Sequence, residues 1–210
     1  MSSLFKSPVA RKLLMAVSGV FLVVFLLVHL TVNLMLFGGA DAFNAASHFM
    51  GTNPVIQVMQ PVLALGFLVH IIMGIVLELK NAAARPIKYS KNNAGANSSW
   101  ASRNMIVTGV MILAFLVLHI INYFVPFKFG EVHDHYELVT TLFENPVYTI
   151  VYVVAFILLG MHLSHGFQSS MTTLGLRSAG YKKFFITLGI IFSYLIAIGF
   201  SAIAVYFFLK

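Results

Sequence analysis

The sequence predicts an all-α membrane protein that crosses the bilayer five times. Of its 210 residues, 60% are hydrophobic and 9% are charged, a composition far more apolar than that of a soluble domain. Five apolar segments are each about 20 residues or longer, which is the length that an α-helix needs to cross the hydrocarbon core. Gly, Asn, Pro and Ser residues separate the segments, as is typical of turns between helices.

The five predicted spans form a single transmembrane domain over residues 1–210. They cover about 13–37, 55–79, 104–125, 147–169 and 184–209. Basic residues precede the first span, as they do in a signal peptide. The apolar segment is nevertheless too long for such a peptide and lacks a convincing cleavage site, so we expect it to remain as a span.

The basic residues predict the orientation of the chain. Eleven of the thirteen Lys and Arg residues lie before span one, between spans two and three, or between spans four and five. Only Lys128 and Lys210 fall on the other side, which carries acidic residues at 41, 131, 134, 137 and 144. The positive-inside rule therefore predicts a cytoplasmic N-terminus. It also explains the net charge without a nucleic-acid partner, and the basic surface would face lipid headgroups or a cytoplasmic protein.

Four histidines stand out inside the predicted spans, one in each of the first four, where polar groups are costly. At 1.5 Å per residue, His29 and His119 lie about 25 Å from the cytoplasmic edge, and His70 and His162 lie about 12 Å from it. Spans one and three thus provide a distal pair, and spans two and four a proximal pair. Two stacked haems need this layout, since each iron is bound by one imidazole from either side. We therefore expect the first four spans to form a haem-binding bundle.

Glycines repeat at fixed spacings from these histidines. Gly19 and Gly109 each precede a distal histidine by ten residues, which places them at the proximal level, where a missing side chain leaves room for a macrocycle. Gly74 and Gly166 each follow a proximal histidine by four residues, on the same helix face. One such match would indicate only helix packing. The repeated G-x9-H and H-x3-G patterns together indicate a duplicated helix pair.

The remaining histidines and the missing cysteines limit the ligands. His165 lies one turn beyond His162 and is an alternative ligand, although the repeat with His70 favours His162. His133 and His135 lie in an acidic loop, and we interpret them as surface residues rather than metal ligands. The sequence contains no cysteine, which excludes iron–sulfur clusters and covalently attached haem on this chain.

Several stretches resemble the dihaem cytochrome b subunit of succinate:quinone and fumarate reductases, the single-chain type with five helices. They are HLTVN at 29–33, AFNAASHFM at 42–50, HIIMG at 70–74 and HLSHG at 162–166, and the likeness extends over all five spans. The resemblance implies two haem b groups. It implies His29 and His119 as ligands of the distal haem iron, and His70 and His162 as ligands of the proximal haem iron.

The resemblance also implies partners and a substrate. A flavoprotein subunit with FAD and an iron–sulfur subunit would attach on the cytoplasmic side of a bacterial cytoplasmic membrane, and the complex could form a dimer of heterotrimers. Electrons would pass between these subunits and a quinone, commonly menaquinone, in either direction. Some members use a glutamate two residues before the proximal ligand of span four as a proton path. Gly160 occupies this position here, which argues against that path.

Further candidate residues follow from their predicted location. Haem propionates need cations or hydrogen-bond donors near the membrane edge, and the candidates for the proximal haem are Arg11, Lys12, Ser18, Trp100 and Arg103. Anchoring at the membrane surface explains the same basic residues equally well. A quinone site on the outer side needs groups that bind carbonyls and exchange protons, and the candidates are Asn33, Asn44, Ser47 and His48. The alternative is that Asn44 and His48 cap a short interfacial helix.

Two other functions remain open from the sequence. A haem-free transporter or proton channel would use the same histidines as a relay. A cytochrome b of another membrane oxidoreductase, such as a hydrogenase or formate dehydrogenase, would bind haem but serve different soluble subunits. We find no flavin or nucleotide-binding motif, so we expect succinate chemistry to depend on partner subunits.

Overall fold

The computed structural model describes residues 7–84, 103–130, 132, 134–177 and 180–210. The regular secondary structure of these residues is helical, without strands. Five of the described helices are long and apolar enough to cross a membrane, which confirms the predicted fold class. Trp100 and His133, both named above, lie outside the described residues.

Seven helices follow one another along the described chain. They are α1 (Pro8–Leu34), α2 (Ala40–Thr52), α3 (Pro54–Ala83), α4 (Met105–His119), α5 (His135–Glu144), α6 (Pro146–Thr173) and α7 (Lys182–Leu209). Helix α1 ends in a 3-10 turn at Met35–Gly38. Helix α4 continues through a π-helical turn at Ile120–Phe124 into a last segment at Val125–Phe129. The five long helices match the predicted spans, and α5 is an additional helix that was not predicted from the sequence.

An Asn-Pro pair fixes the start of both α3 and α6. The side-chain oxygen of Asn53 accepts a hydrogen bond from the backbone N–H of Val55 at 3.0 Å, and that of Asn145 accepts one from Val147 at 2.9 Å. The proline after each asparagine occupies the first turn, where its missing N–H costs nothing. Each helix therefore begins at a position that the local sequence dictates.

Four of the long helices form a bundle in the order α1, α3, α4, α6. Helix α1 packs against α3 and α6, and α4 packs against α6. Helices α3 and α4 pack less closely than these neighbouring pairs do. Lys128, in the last segment after α4, donates a hydrogen bond to the side-chain oxygen of Gln57 on α3 at 2.8 Å. Backbone contacts across the two diagonals, α1 with α4 and α3 with α6, are sparse in the described residues. The bundle therefore has two diagonals that only side chains or a bound group can fill.

Helix α7 lies outside this bundle. It packs along α6 and also contacts α1 and α5. The main hydrophobic core joins α7 to the second half of α1, the first half of α6 and the short helices α2 and α5; its fully buried members include Leu36, Tyr152, Ile196 and Ala204. The packed core is therefore concentrated toward one end of the bundle.

The helix ends define two sides of the molecule. The side that carries the start of α1 includes Arg11, Lys12 and Lys182, and we call it the basic side. The opposite side carries α2 and α5 with Asp41, Asp134 and Glu137, and we call it the acidic side. The hydrophobic core lies toward the acidic side. That the basic side is cytoplasmic stays a prediction.

Candidate functional site

The structure brings the four membrane histidines together as two pairs. The ring centroids of His29 on α1 and His119 on α4 are 5.7 Å apart. Those of His70 on α3 and His162 on α6 are 6.3 Å apart. Each pair therefore spans one diagonal of the bundle, between two helices whose backbones have little direct contact.

Two glycines show how far apart the pairs lie. A Cβ atom at Gly19 would be 3.4 Å from Cε1 of His70, and a Cβ atom at Gly109 would be 3.6 Å from Cε1 of His162. Each glycine precedes the distal histidine of its own helix by ten residues, so the two pairs are separated by about 15 Å along the bundle. The glycines lie at the proximal level, beside the proximal imidazoles.

A buried hydroxyl contacts each proximal imidazole. Ser18 Oγ is 3.3 Å from Nδ1 of His70, and Thr108 Oγ1 is 3.3 Å from Nδ1 of His162. From the sequence, Ser18 was assigned only to a haem propionate, and Thr108 was overlooked. The available signal was a Ser or Thr directly before each of the two repeated glycines.

Aromatic side chains surround the distal pair instead. Phe25 stacks on His29 with its centroid at 5.3 Å, and Phe200 lies at 5.5 Å from the same ring. Around His119, at centroid distances of 5.3 to 6.1 Å, lie Tyr123, Phe115 and Tyr152. These rings limit the rotation of both imidazoles.

Helix α4 changes its hydrogen-bond pattern directly after His119. The π-helical turn begins at the next residue, and such turns occur frequently at functional sites. Nδ1 of His119 is buried without a hydrogen-bond partner in the described part of the chain. Asn122, within the turn, donates a hydrogen bond to the hydroxyl of Tyr152 at 3.0 Å. Polar groups thus lie on one side of the distal pair, and aromatic rings surround the rest of it.

The two pairs fit the axial coordination of haem iron. Imidazole nitrogens bind metals at about 2 Å, so two imidazoles on opposite sides of one metal have centroids about 6 Å apart. The observed separations are 5.7 and 6.3 Å. In the described residues no group of three or more His, Asp or Glu side chains could bind a free metal ion. Two imidazoles suit a metal that brings its in-plane ligands with it, as haem iron does.

Comparison with known proteins assigns the family. Residues 83–198 match the family model described as the succinate dehydrogenase/fumarate reductase transmembrane subunit. The chain belongs to this family. The matched residues include His119 and His162, and they begin after His29 and His70. The protein is therefore a multi-pass membrane protein of this family.

A curated relative extends the similarity further. The succinate dehydrogenase cytochrome b558 subunit of Bacillus subtilis (strain 168) is 27% identical to the chain over 157 residues, which are 73% of this chain and 73% of that protein. No solved structure matches the chain significantly.

Within this family member, His162 rather than His165 faces the opposite proximal imidazole. The ring contact of His70 is with His162, and the described residues show no ring contact between His70 and His165. The geometry therefore favours the same residue as the sequence repeat.

The described propionate candidates differ in burial. The side chain of Arg11 is buried at the start of α1, with 7% of its surface exposed. Lys12 and Arg103 are exposed on the basic side. Ser18 contacts His70, as described above. Arg11 is thus the basic candidate whose side chain turns into the protein.

Two of the quinone candidates connect α2 to α5. Asn44 donates a hydrogen bond to Asp134 at 3.0 Å and accepts one from the backbone N–H of Tyr136 at 2.9 Å. Ser47 Oγ is 2.6 Å from Nδ1 of His135. The hydrogen bond from Asn44 lowers the pKa of Asp134, and burial lowers the pKa of His135. The side chains of both candidates therefore bind α2 to the start of α5.

The other two quinone candidates have fewer contacts. Asn33 donates to the backbone oxygen of His29 at 2.8 Å, and the side chain of His48 is exposed. Asn44 and His48 lie within α2 rather than at its ends, so the short helix exists but neither residue caps it. A cavity of about 560 Å³ opens on the acidic side between α5 and the start of α6, and none of the four candidates lines it.

Close packing explains Gly160. A Cβ atom there would be 2.9 Å from Cβ of Ala197 and 3.3 Å from the backbone oxygen of Ser193. The position faces α7, and these distances leave no space for a longer side chain. Gly160 therefore allows close contact between α6 and α7.

Proposed function

We propose that the chain is the dihaem cytochrome b subunit of a succinate:quinone oxidoreductase, either a succinate dehydrogenase or a quinol:fumarate reductase. It anchors a flavoprotein subunit and an iron–sulfur subunit to the bacterial cytoplasmic membrane and transfers electrons between them and membrane quinone, commonly menaquinone. One observation carries this proposal. Four histidines from four different helices form two pairs across the diagonals of one bundle.

The histidines would hold the two haems by their iron. His29 and His119 would bind the distal haem, and His70 and His162 the proximal haem. When bound, haem b carries one electron by alternating between ferric and ferrous iron. The helices hold the two imidazole pairs about 15 Å apart along the bundle axis. Because the two imidazoles of each pair come from different helices, displacement of either helix would separate the pair.

The residues around each pair control its environment. The aromatic rings beside His29 and His119 reduce the access of water to the imidazoles, which would lower the local dielectric constant and strengthen electrostatic interactions. Arg11 would bind a propionate of the proximal haem, since a guanidinium pairs well with carboxylates and stays charged. Lys12 and Arg103 would act at the membrane surface.

The two sides of the molecule would have different partners. The basic side would face the cytoplasm and the soluble subunits, in agreement with the positive-inside rule. The quinone would bind on the acidic side, close to the distal pair. Asn33 and His48 are the candidates that retain free hydrogen-bonding capacity there, whereas Asn44 and Ser47 hold α5 in place.

Haem content tests the proposal directly. The purified chain should yield two protohaems per polypeptide in a pyridine haemochrome assay, and co-purification should recover a flavoprotein and an iron–sulfur protein. A haem-free preparation that still transports ions or protons would contradict the proposal and favour a histidine-lined transporter. Other soluble subunits on a haem-containing chain would indicate a different oxidoreductase.

A further inference from the structure

We infer that Ser18 and Thr108 are positioning residues for the proximal haem. Their hydroxyls hold His70 and His162 in the tautomer that has its proton on Nδ1 and a free electron pair on Nε2. This inference rests on the proposed function and adds to it a role for two residues that do not themselves bind the iron.

Each hydroxyl contacts a backbone oxygen one turn earlier in its own helix and a proximal imidazole. Ser18 Oγ donates to the backbone oxygen of Met15 at 3.1 Å and lies 3.3 Å from Nδ1 of His70. Thr108 Oγ1 lies 3.0 Å from the backbone oxygen of Met105, 3.3 Å from that of Asn104 and 3.3 Å from Nδ1 of His162. A hydroxyl has one proton and two electron pairs. A hydroxyl that directs its proton to the backbone carbonyl presents an electron pair to the imidazole, and this is the arrangement that we infer.

The tautomer of each imidazole follows from this contact. A neutral imidazole carries a proton on one nitrogen and an electron pair on the other. An Nδ1–H that donates to the hydroxyl leaves the electron pair on Nε2, where it can bind a metal. Histidine ligands of metals usually donate their other N–H to such an acceptor, which fixes the ring orientation and raises the basicity of the ligand.

Burial strengthens both contacts. The exposed fraction is 7% for Ser18 and 3% for Thr108, so water cannot easily replace either hydroxyl. The glycine that follows each of them places its helix backbone beside the ring, so close that an added Cβ would lie 3.4 Å from His70 or 3.6 Å from His162. The hydroxyl and the glycine together set the distance and the rotation of the imidazole.

The same arrangement of three residues occurs twice in the chain. Met15, Ser18 and Gly19 on α1 correspond to Met105, Thr108 and Gly109 on α4, with identical spacing. The methionine methyl groups lie against equivalent glycines as well: the Cβ position of Gly74 is 3.8 Å from Met15 Cε, and that of Gly166 is 3.3 Å from Met105 Cε. Two helix pairs thus present their proximal imidazoles to each other in the same way.

The distal pair has no corresponding hydroxyl at His119. Its Nδ1 lacks a hydrogen-bond partner in the described part of the chain. Removal of the Ser18 and Thr108 hydroxyls should therefore affect the proximal haem and leave the distal haem unchanged. This selectivity separates a positioning role from a general effect on stability.

Redox titration of the purified complex tests the inference. Ser18→Ala and Thr108→Val should each raise the midpoint potential of the proximal haem, because a less basic imidazole stabilises ferric iron less well. The second haem should keep its potential, and the double variant should show a larger shift than either single variant. The electron paramagnetic resonance signal of the same ferric haem should change as well, and Thr108→Ser should restore both properties.

Ser193→Ala provides the matched control. The hydroxyl of Ser193 is also buried and donates to a backbone oxygen of its own helix, that of Gly189 at 2.6 Å, but among the described residues no hydrogen bond joins it to a histidine. It should leave both potentials unchanged. If Ser18→Ala and Thr108→Val retain two haems with unaltered potentials and spectra, the inference is wrong although the proposed function stands.

Loss of the proximal haem is a further outcome with a clear meaning. If Thr108→Val loses it and Thr108→Ser retains it, the hydroxyl is required, as we infer. If both variants lose it, the side-chain volume rather than the hydroxyl is required, and the inference fails. A wild-type complex without haem would instead overturn the proposed function.

Discussion

The proximal and distal histidine pairs share one geometry but differ in what holds them. Both pairs span a diagonal of the bundle, with ring centroids 6.3 and 5.7 Å apart. The proximal imidazoles each contact a buried hydroxyl and a glycine. The distal imidazoles are held among aromatic rings. Hydrogen bonds thus orient one pair, and ring packing orients the other.

Helix α7 is one source of this difference. It packs along α6 and α1 and contributes Phe200 to the surroundings of His29. The short helices α2 and α5 cover the same end of the molecule and add Phe43 and Phe143 to the core. At the proximal level, by contrast, the hydroxyls and glycines come from α1 and α4 themselves. The extra helices therefore add aromatic packing around the distal pair.

Removal of a single histidine should have the largest effect. His162→Ala should lose the proximal haem and His29→Ala the distal haem, so that each variant yields one haem per chain instead of two in a pyridine haemochrome assay. The reason is that one remaining imidazole holds the iron from one side only. His165→Ala is the control and should retain both. Loss of the proximal haem in this control alone would assign the ligand to His165.

Added volume at the proximal glycines should have the next largest effect. Gly19→Val and Gly109→Val place a branched side chain where a single Cβ already lies 3.4 or 3.6 Å from a proximal imidazole. We expect loss of the proximal haem with retention of the distal one, measured by redox-resolved absorption spectra. Gly51→Val provides the control, because the space around Gly51 is open within 4 Å. Normal haem content in both proximal variants would show that the glycines serve only helix packing.

Truncation of an aromatic ring should affect the distal half selectively. Phe200 is 7% exposed and packs on His29 and Phe156. Phe200→Ala should lower the free energy of unfolding by about 3–5 kcal/mol and broaden the spectrum of the distal haem alone. Phe208→Ala, on the same helix but 42% exposed, should cost much less. Equal effects of the two variants on thermal unfolding would contradict the role of packing around the distal pair.

The sequence allowed the five spans and the two ring pairs to be predicted because helical rise is fixed. Counting residues from the membrane edge gives depth, and depth alone separates His29 and His119 from His70 and His162. The binding of iron by these residues stays a prediction. The sequence contains a second indication that His70 and His162 lie at the same depth. Asn53 and Asn145, each followed by proline, lie seventeen residues before these two histidines.

Other contacts could not be predicted from depth. The sequence does not show which direction around a helix a side chain faces, so Ser18 was assigned to a propionate although it contacts His70. The sequence also does not show which segments pack against the residues between two spans. Asn44 and Ser47 were expected near a quinone, but α5 supplies their partners Asp134 and His135. Polar residues outside the spans depend on tertiary contacts that neither periodicity nor charge determines.

The smallest expected effect concerns the acidic side and its dependence on pH. The ring of His135 stacks on Phe127 with centroids 4.2 Å apart and contacts Ser47, and burial lowers the pKa of His135 below 6.5. The unfolded chain therefore takes up a proton at a higher pH than the folded protein does, so stability should decrease as the pH falls below about 6.5. His135→Gln should reduce this decrease, measured as the melting temperature at pH 7.5 and 5.5. Haem potentials should stay constant in this variant, because among the described residues no hydrogen bond or ring contact joins His135 to a membrane histidine. A pH dependence identical to that of the wild type would show that His135 does not determine the stability of the acidic side.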